Sequence, residues 1–124
     1  MEPTIREKLV ERLAHNFSSM VSHPDGWNDI VQKLHEDIVE IDQDYKVVQT
    51  KEKFGGLRFY IHISEDVSDA DGKRIWSLIR EAEEASYQTC ENCGNPGIKR
   101  NMHWTRTLCD QCFEQHTIEF TYNE

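Results

Sequence analysis

Apolar positions in the first twenty residues recur at helical spacing. Ile5, Leu9, Leu13 and Phe17 follow one another every four residues, and Val10, Ala14 and Val21 widen the stripe. Pro3 and Thr4 stand where a helix would start. Ser22–Gly26 (SHPDG) breaks the pattern with turn formers. A second helical stripe follows, with Trp27, Ile30, Val31, Leu34, Ile38 and Ile41 on one face and Asp29, Glu36, Asp37, Glu40 and Asp42 on the other. The period then shortens. From Tyr45 to Lys53 the pattern is strand-like, and Leu57, Phe59, Ile61 and Ile63 alternate with Arg58, Tyr60 and His62 as in a half-buried strand. Gly55-Gly56 between the two runs tolerates positive φ, which predicts an antiparallel hairpin. Ser68 reads as an N-cap, with Asp69 and Asp71 favouring the positive end of a third helix whose stripe is Ile75, Ile79, Ala82 and Ser86. Helix, helix, hairpin and helix predict an α+β domain over residues 1–89, helices packed on a small antiparallel sheet.

Beyond Thr89 the periodicity gives way to C-x₂-C-x₁₅-C-x₂-C, which uses all four cysteines of the 124-residue chain: Cys90, Cys93, Cys109 and Cys112. Each CxxC sets two sulfurs on one tight turn, close enough to share a tetrahedral ion. Gly94 suits a knuckle after the first pair, Asn95-Pro96-Gly97 is a further turn, and Lys99–Leu108 has room for a short hairpin. The second pair runs on into Phe113, Glu114, Gln115 and His116, a helix-like continuation that predicts ligands on a first helical turn. Knuckle, hairpin and helix resemble a treble-clef zinc finger over residues 90–124, packed rigidly on the first domain. The expected cofactor is one structural Zn²⁺, because four thiolates fill a tetrahedral ion and leave no place for water or substrate.

Composition bears on partners. The apolar fraction is 37% and the charged fraction 30%, with a net charge of −9. Thiolates and zinc together bring the metallated value to about −11. Such a charge disfavours sequence-independent binding to nucleic acid over most of the surface. Residues 45–65 invert it, with Lys46, Lys51, Lys53 and Arg58 against Glu52 and Glu65. No apolar run approaches a membrane span, and the charged N-terminus does not read as a secretory signal. The expected location is the cytoplasm, where cysteines serve metals more often than disulfides.

Gly26-Trp27, the Lys51–Ile61 stretch (KEKFGGLRFYI), Cys90–Gly97 (CENCGNPG), Trp104 and Thr107–Cys112 (TLCDQC) together resemble a family of small uncharacterised proteins of bacteriophages, prophages and bacteria. The resemblance spans roughly residues 26–112. It implies the zinc site and a phage or bacterial setting (a host cytoplasm, if the protein is phage-encoded), and it implies no activity.

No nucleophile–base arrangement stands out, since every thiol is assigned to metal and the six histidines lack HExxH-type spacing. The expectation is a non-enzymatic binding protein acting on a partner protein, of the kind a phage uses to inhibit a host defence or transcription factor. Candidate partner contacts are Asp37, Glu40, Glu83 and Glu84 on the acidic helix faces, or Lys51, Lys53, Phe54 and Arg58 at the hairpin. The simpler reading of the hairpin has Phe54 capping the core and lysines guarding an edge strand. The alternative function is a zinc-finger regulator that binds nucleic acid through Lys99, Arg100, Trp104 and Arg106.

Overall fold

The structure, a computed structural model, describes residues 2–15 and 19–122. Helix α1 (Ile5–Glu11) starts at Thr4, whose hydroxyl accepts from the Glu7 N–H while the Glu7 carboxylate accepts from the Thr4 N–H, a reciprocal cap. Strand β1 (Met20–Val21) and a single 3₁₀ turn (Asp25–Trp27) lead into α2 (Asn28–Ile41). Strands β2 (Lys46–Lys53) and β3 (Gly56–His62) form the hairpin, and α3 (Asp69–Ser86) follows with the Ser68 hydroxyl capping the Asp71 N–H. A second hairpin, β4 (Ile98–Arg100) and β5 (Arg106–Leu108), precedes α4 (Asp110–Tyr122).

Architecture is α+β, with one three-stranded and one two-stranded sheet. The first sheet has the order β1-β2-β3, with β1 parallel and β3 antiparallel to β2. One element differs from the sequence reading. The first helix stops at Glu11, and Leu13 and Val21 lie beside β2, Leu13 bridging Val47 and Val21 pairing with Thr50. Competing tertiary contacts explain the switch. Arg12 donates to the Gln43 and Tyr45 carbonyls and stacks on the Tyr45 ring at 4.8 Å, and its own carbonyl accepts from Val47. Backbone pairing along β2 satisfies groups that a longer helix would have left open on that strand. Phe17, expected on the helical stripe, lies outside the described residues.

The core gathers Ile5 and Leu9 of α1, Trp27, Val31, Leu34 and Ile38 around α2, Val47, Leu57, Phe59 and Ile61 of the strands, and Ile75 and Ala82 of α3. Ile63 is only half-buried and follows the end of β3. Asp42 does not belong to a solvated acidic face. It is 5% exposed, and its carboxylate accepts from the Ser64 N–H and hydroxyl and from the Asp44 N–H, tying the end of α2 to the end of β3. Burial pushes this carboxyl up, and those donors more than offset it, so its pKa falls below the usual value. Helix α3 closes the outer edge of β3, where the Leu57 N–H donates to the Ser86 hydroxyl at 2.8 Å.

Candidate functional site

The four cysteine sulfurs lie within 4.8 Å of one another. Cys93 Sγ and Cys109 Sγ are 3.7 Å apart, far beyond a disulfide bond and close to the edge, about 3.8 Å, of a tetrahedron with metal–sulfur bonds of about 2.3 Å. Local structure explains the convergence. The Gly94 N–H donates to the Cys90 carbonyl at 2.9 Å and Gly94 takes φ 83°, closing the first pair into a knuckle. Cys109 stands just before α4, its carbonyl accepting from the Phe113 N–H and its sulfur from the Cys112 N–H at 3.4 Å. The second pair therefore spans a helix's first turn.

Thiol electrostatics suit a cation. Burial pushes Cys90 up, but N–H groups of Cys109, Cys93 and Asn92 aimed at its sulfur win and bring it down to about 7. Burial and its three sulfur neighbours push Cys112 up to about 12. One sulfur is ready to ionise and another resists in the absence of a countercharge, so a divalent ion at the centre would relieve the conflict. The described residues thus offer a four-sulfur group able to hold a metal ion.

Two residues that the sequence reading left without a role here organise the first pair. Glu91, between the cysteines, has a buried carboxylate that accepts from Arg106 Nε at 2.8 Å and from the Thr107 N–H at 3.1 Å. Asn92 accepts from the same guanidinium at 3.0 Å. Arg106 is thus a clamp between β5 and the knuckle, its side chain 17% exposed. Arg100 is likewise committed, pairing with Asp110 at 2.7 Å and lying over the Phe113 ring at 4.5 Å. Of the four residues suggested for nucleic-acid binding in this module, Lys99 and Trp104 are the exposed ones. The signal for the clamp is the polar pair Glu91-Asn92 inside the CxxC, whose shared partner Arg106 lies 15 and 14 residues on.

The cysteine-bearing segment packs against the preceding helices and hairpin through glycines. The Gly26 N–H donates to the Glu91 carbonyl, and Trp27 Nε1 donates to the Thr89 carbonyl at 2.9 Å. A Cβ on Gly26 would lie 2.2 Å from the Cys90 carbonyl oxygen. On the other side, the Thr107 hydroxyl donates to the Gly55 carbonyl, and a Cβ on Gly56 would lie 2.4 Å from the Tyr87 ring. Lys99 stacks on that same ring at 4.3 Å. The segments around Gly26-Trp27, Gly55-Gly56, Cys90–Gly97 and Thr107–Cys112 thus meet at one junction.

The hairpin turn differs from expectation. Its positive-φ residues are Phe54 (φ 55°) and Gly55 (φ 81°), while Gly56 is a glycine because Tyr87 leaves it no room. Phe54 does not cap the core: it is 64% exposed, with Lys53 Nζ 5.6 Å from its ring centre.

Pairing register sorts the rest. Val47, Thr50, Leu57, Phe59 and Ile61 face the core. The pairs Lys46–His62, Gln49–Tyr60 and Lys51–Arg58 face outward, as do Lys53 and Met20, while Gly56 is buried under Tyr87. A bulge between Val47 and Gln49 preserves that division. None of these outward residues is acidic. Arg58 reaches around the β3 edge to an ion pair with Glu83 and to the Tyr87 hydroxyl. The candidates Arg58 and Glu83, assigned to opposite surfaces by sequence, neutralise each other. Asp37 pairs with Lys33 at 2.9 Å, whereas Glu40 and Glu84 are exposed.

Among the described residues, no helix is long and apolar enough to cross a membrane. No known protein family, curated protein or solved structure matches the chain.

Proposed function

We propose that this protein is a non-enzymatic binding protein: a zinc-stapled scaffold that presents the open face of its three-stranded sheet, with the hairpin tip beside it, to an anionic macromolecule. One observation carries the reading. In a chain of net charge −9, the outward side chains of β2 include Lys46, Lys51 and Lys53, while Arg58 of β3 is neutralised by Glu83 and the Glu52 carboxylate turns to the Gly55 N–H. Segregated charge of this kind steers an oppositely charged partner to one face.

The four-cysteine group supports zinc as the staple, and knuckle, hairpin and helix in that order support a treble-clef module over residues 90–124. Zinc saturated by four thiolates holds structure and leaves no open coordination position. Its role would be to fix β5 and the knuckle against Gly26 and Gly55, and so to fix the tip.

The test is retention on immobilised heparin at low ionic strength. The wild-type protein should be retained and should elute on modest addition of salt. Replacing Lys46, Lys51 and Lys53 by Ala should abolish retention, while Glu40→Lys and Glu84→Lys should leave the lysine dependence intact. Wild-type protein passing through unretained would overturn the reading.

A second reading keeps a partner protein and the opposite side of the molecule. A groove of about 230 Å³ between α2 and α3 is lined by Ile30, Leu34, Leu78 and Ala82, with Glu81 and the ion pair of Asp37 and Lys33 beside them. That pattern suits a basic amphipathic helix. Reversing Asp37 and Glu81 to Lys would then abolish capture of such a peptide and leave heparin retention unharmed.

A further inference from the structure

We infer that the anionic partner of the sheet face is single-stranded nucleic acid, with bases stacking on Tyr60 and Phe54 and phosphates meeting Lys46, Lys51 and Lys53. The inference rests on the binding face proposed above and names its ligand. Charge alone would accept any polyanion; the rings narrow the choice.

Tyr60 stands in the middle of the outward face, 44% exposed, opposite Gln49. Lys51 Nζ lies 5.8 Å from its ring centre, which sets a cation beside an accessible π surface. Alternate residues along a strand are about 6.7 Å apart, so Lys51 beside Tyr60 and Lys53 beside Phe54 form a row that runs from one ring toward the other. Rings and cations interleaved on a flat, singly signed surface can take up unpaired bases and their phosphates without reading sequence. A duplex keeps its bases stacked and paired, so they cannot lie on these rings.

Phe54 supplies an independent observation. A bulky aromatic at φ 55° occupies backbone space that glycine or asparagine fills at less cost. Strain of this sort persists where the surroundings hold it. Here the Glu52 carboxylate accepts from the Gly55 N–H at 2.7 Å, and Thr107 holds the Gly55 carbonyl. The result is a ring aimed at solvent on a braced tip, which does nothing for the core. On the far side of that tip, Thr105 Cγ2 would lie 3.4 Å from a Cβ on Gly55, and the preceding residue, Trp104, is 60% exposed. Tyr60 on the sheet and Phe54 at its tip are thus both exposed, and Trp104 stands next in sequence to a residue packed beside that tip.

The experiment is fluorescence anisotropy of the metallated protein with labelled oligodeoxythymidylate and oligouridylate of about 16 nucleotides, the upper range for one small domain. Binding at low salt should be at least tenfold tighter than to a duplex of equal length. The logarithm of affinity should fall against that of salt with a slope of about −2, as three phosphate contacts on a single strand require. Tyr60→Ala should weaken binding about tenfold, as loss of one stacked base implies, and Tyr60→Phe should restore it. Phe54→Gly should weaken binding while raising the melting temperature, a combination that a purely structural Phe54 would not give. Duplex bound as well as single strand, or affinity unchanged by Tyr60→Ala, overturns the inference. Heparin retention without oligonucleotide binding also overturns it, in favour of an acidic protein partner and with the binding face intact. Loss of both removes the face itself.

Discussion

The hydroxyl of Thr107 donates to the carbonyl of Gly55 at 2.6 Å, across 52 residues of chain. Both groups are buried, and the bond joins the strand that leads to the second cysteine pair to the turn that presents Phe54. Metal module and candidate binding tip are therefore mechanically one object. Thr107→Val keeps the shape and removes the donor, leaving a buried carbonyl short of a partner. The expected cost is about 1–3 kcal/mol. Hydrogen exchange should report it locally, as faster exchange of the Gly55 amide.

Glycine at 26 and glycine at 56 should tolerate alanine differently. A methyl at 26 would meet backbone of the knuckle, 2.2 Å from the Cys90 oxygen and 2.5 Å from the Glu91 carbonyl. A methyl at 56 would meet the Tyr87 ring, a side chain that can swing aside. Gly26→Ala should thus weaken metal affinity in competition with a chelator. Gly56→Ala should lower the melting temperature and leave metal affinity nearly unchanged.

Arg106 separates the structural account from the nucleic-acid role its charge suggests. Glu91 is 4% exposed and depends on this guanidinium. Arg106→Ala strands a buried carboxylate and should cost about 3–5 kcal/mol in urea unfolding. Arg106→Lys should not restore the loss, because one ammonium cannot span Glu91 and Asn92 as the planar fork does.

His23 should make stability fall with acid. Burial pushes its pKa from 6.5 down to about 4; the Asn28 contact opposes this, Arg6 adds to it, and Asp25 opposes it. Its ring nitrogens sit 2.8 Å from Thr50 Oγ1 and 2.8 Å from Asn28 Oδ1. The folded-state pKa lies below the unfolded value, so as pH falls the unfolded chain takes the proton first. Stability is full above 6.5 and declines toward 4. The total is at most about 3 kcal/mol. His23→Gln should flatten the slope of unfolding free energy in that window. Acid loss of the metal affects both proteins, so the difference between them isolates the histidine.

Much of this architecture was legible in the chain. The stripes of Trp27–Ile38 and Ile75–Ser86, the alternation of Leu57–Ile61 and the Ser68 cap are local signals, and each became the expected element. The cysteine spacing placed four sulfurs together, and the lack of a glycine after Cys112 matched a helical continuation. What failed was non-local. Leu13 and Val21 fit a helical stripe equally well as strand neighbours, and only the open edge of β2 decides between them. Gly56 looked like a turn residue because Tyr87, thirty-one positions on, is invisible to a local reading. Charges also mislead one at a time, because Arg58 and Glu83, Arg100 and Asp110, and Arg106 and Glu91 cancel in pairs.

The proposed staple of this fold is its metal ion, and native mass spectrometry of the protein purified without added metal tests that most directly. One zinc ion per chain is expected. Cys93→Ser and Cys112→Ser should each lose it and leave residues 90–112 exchanging amide hydrogens as an unfolded segment does. An iron adduct, a metal-free chain with the module still protected, or zinc retained after either substitution would contradict the account.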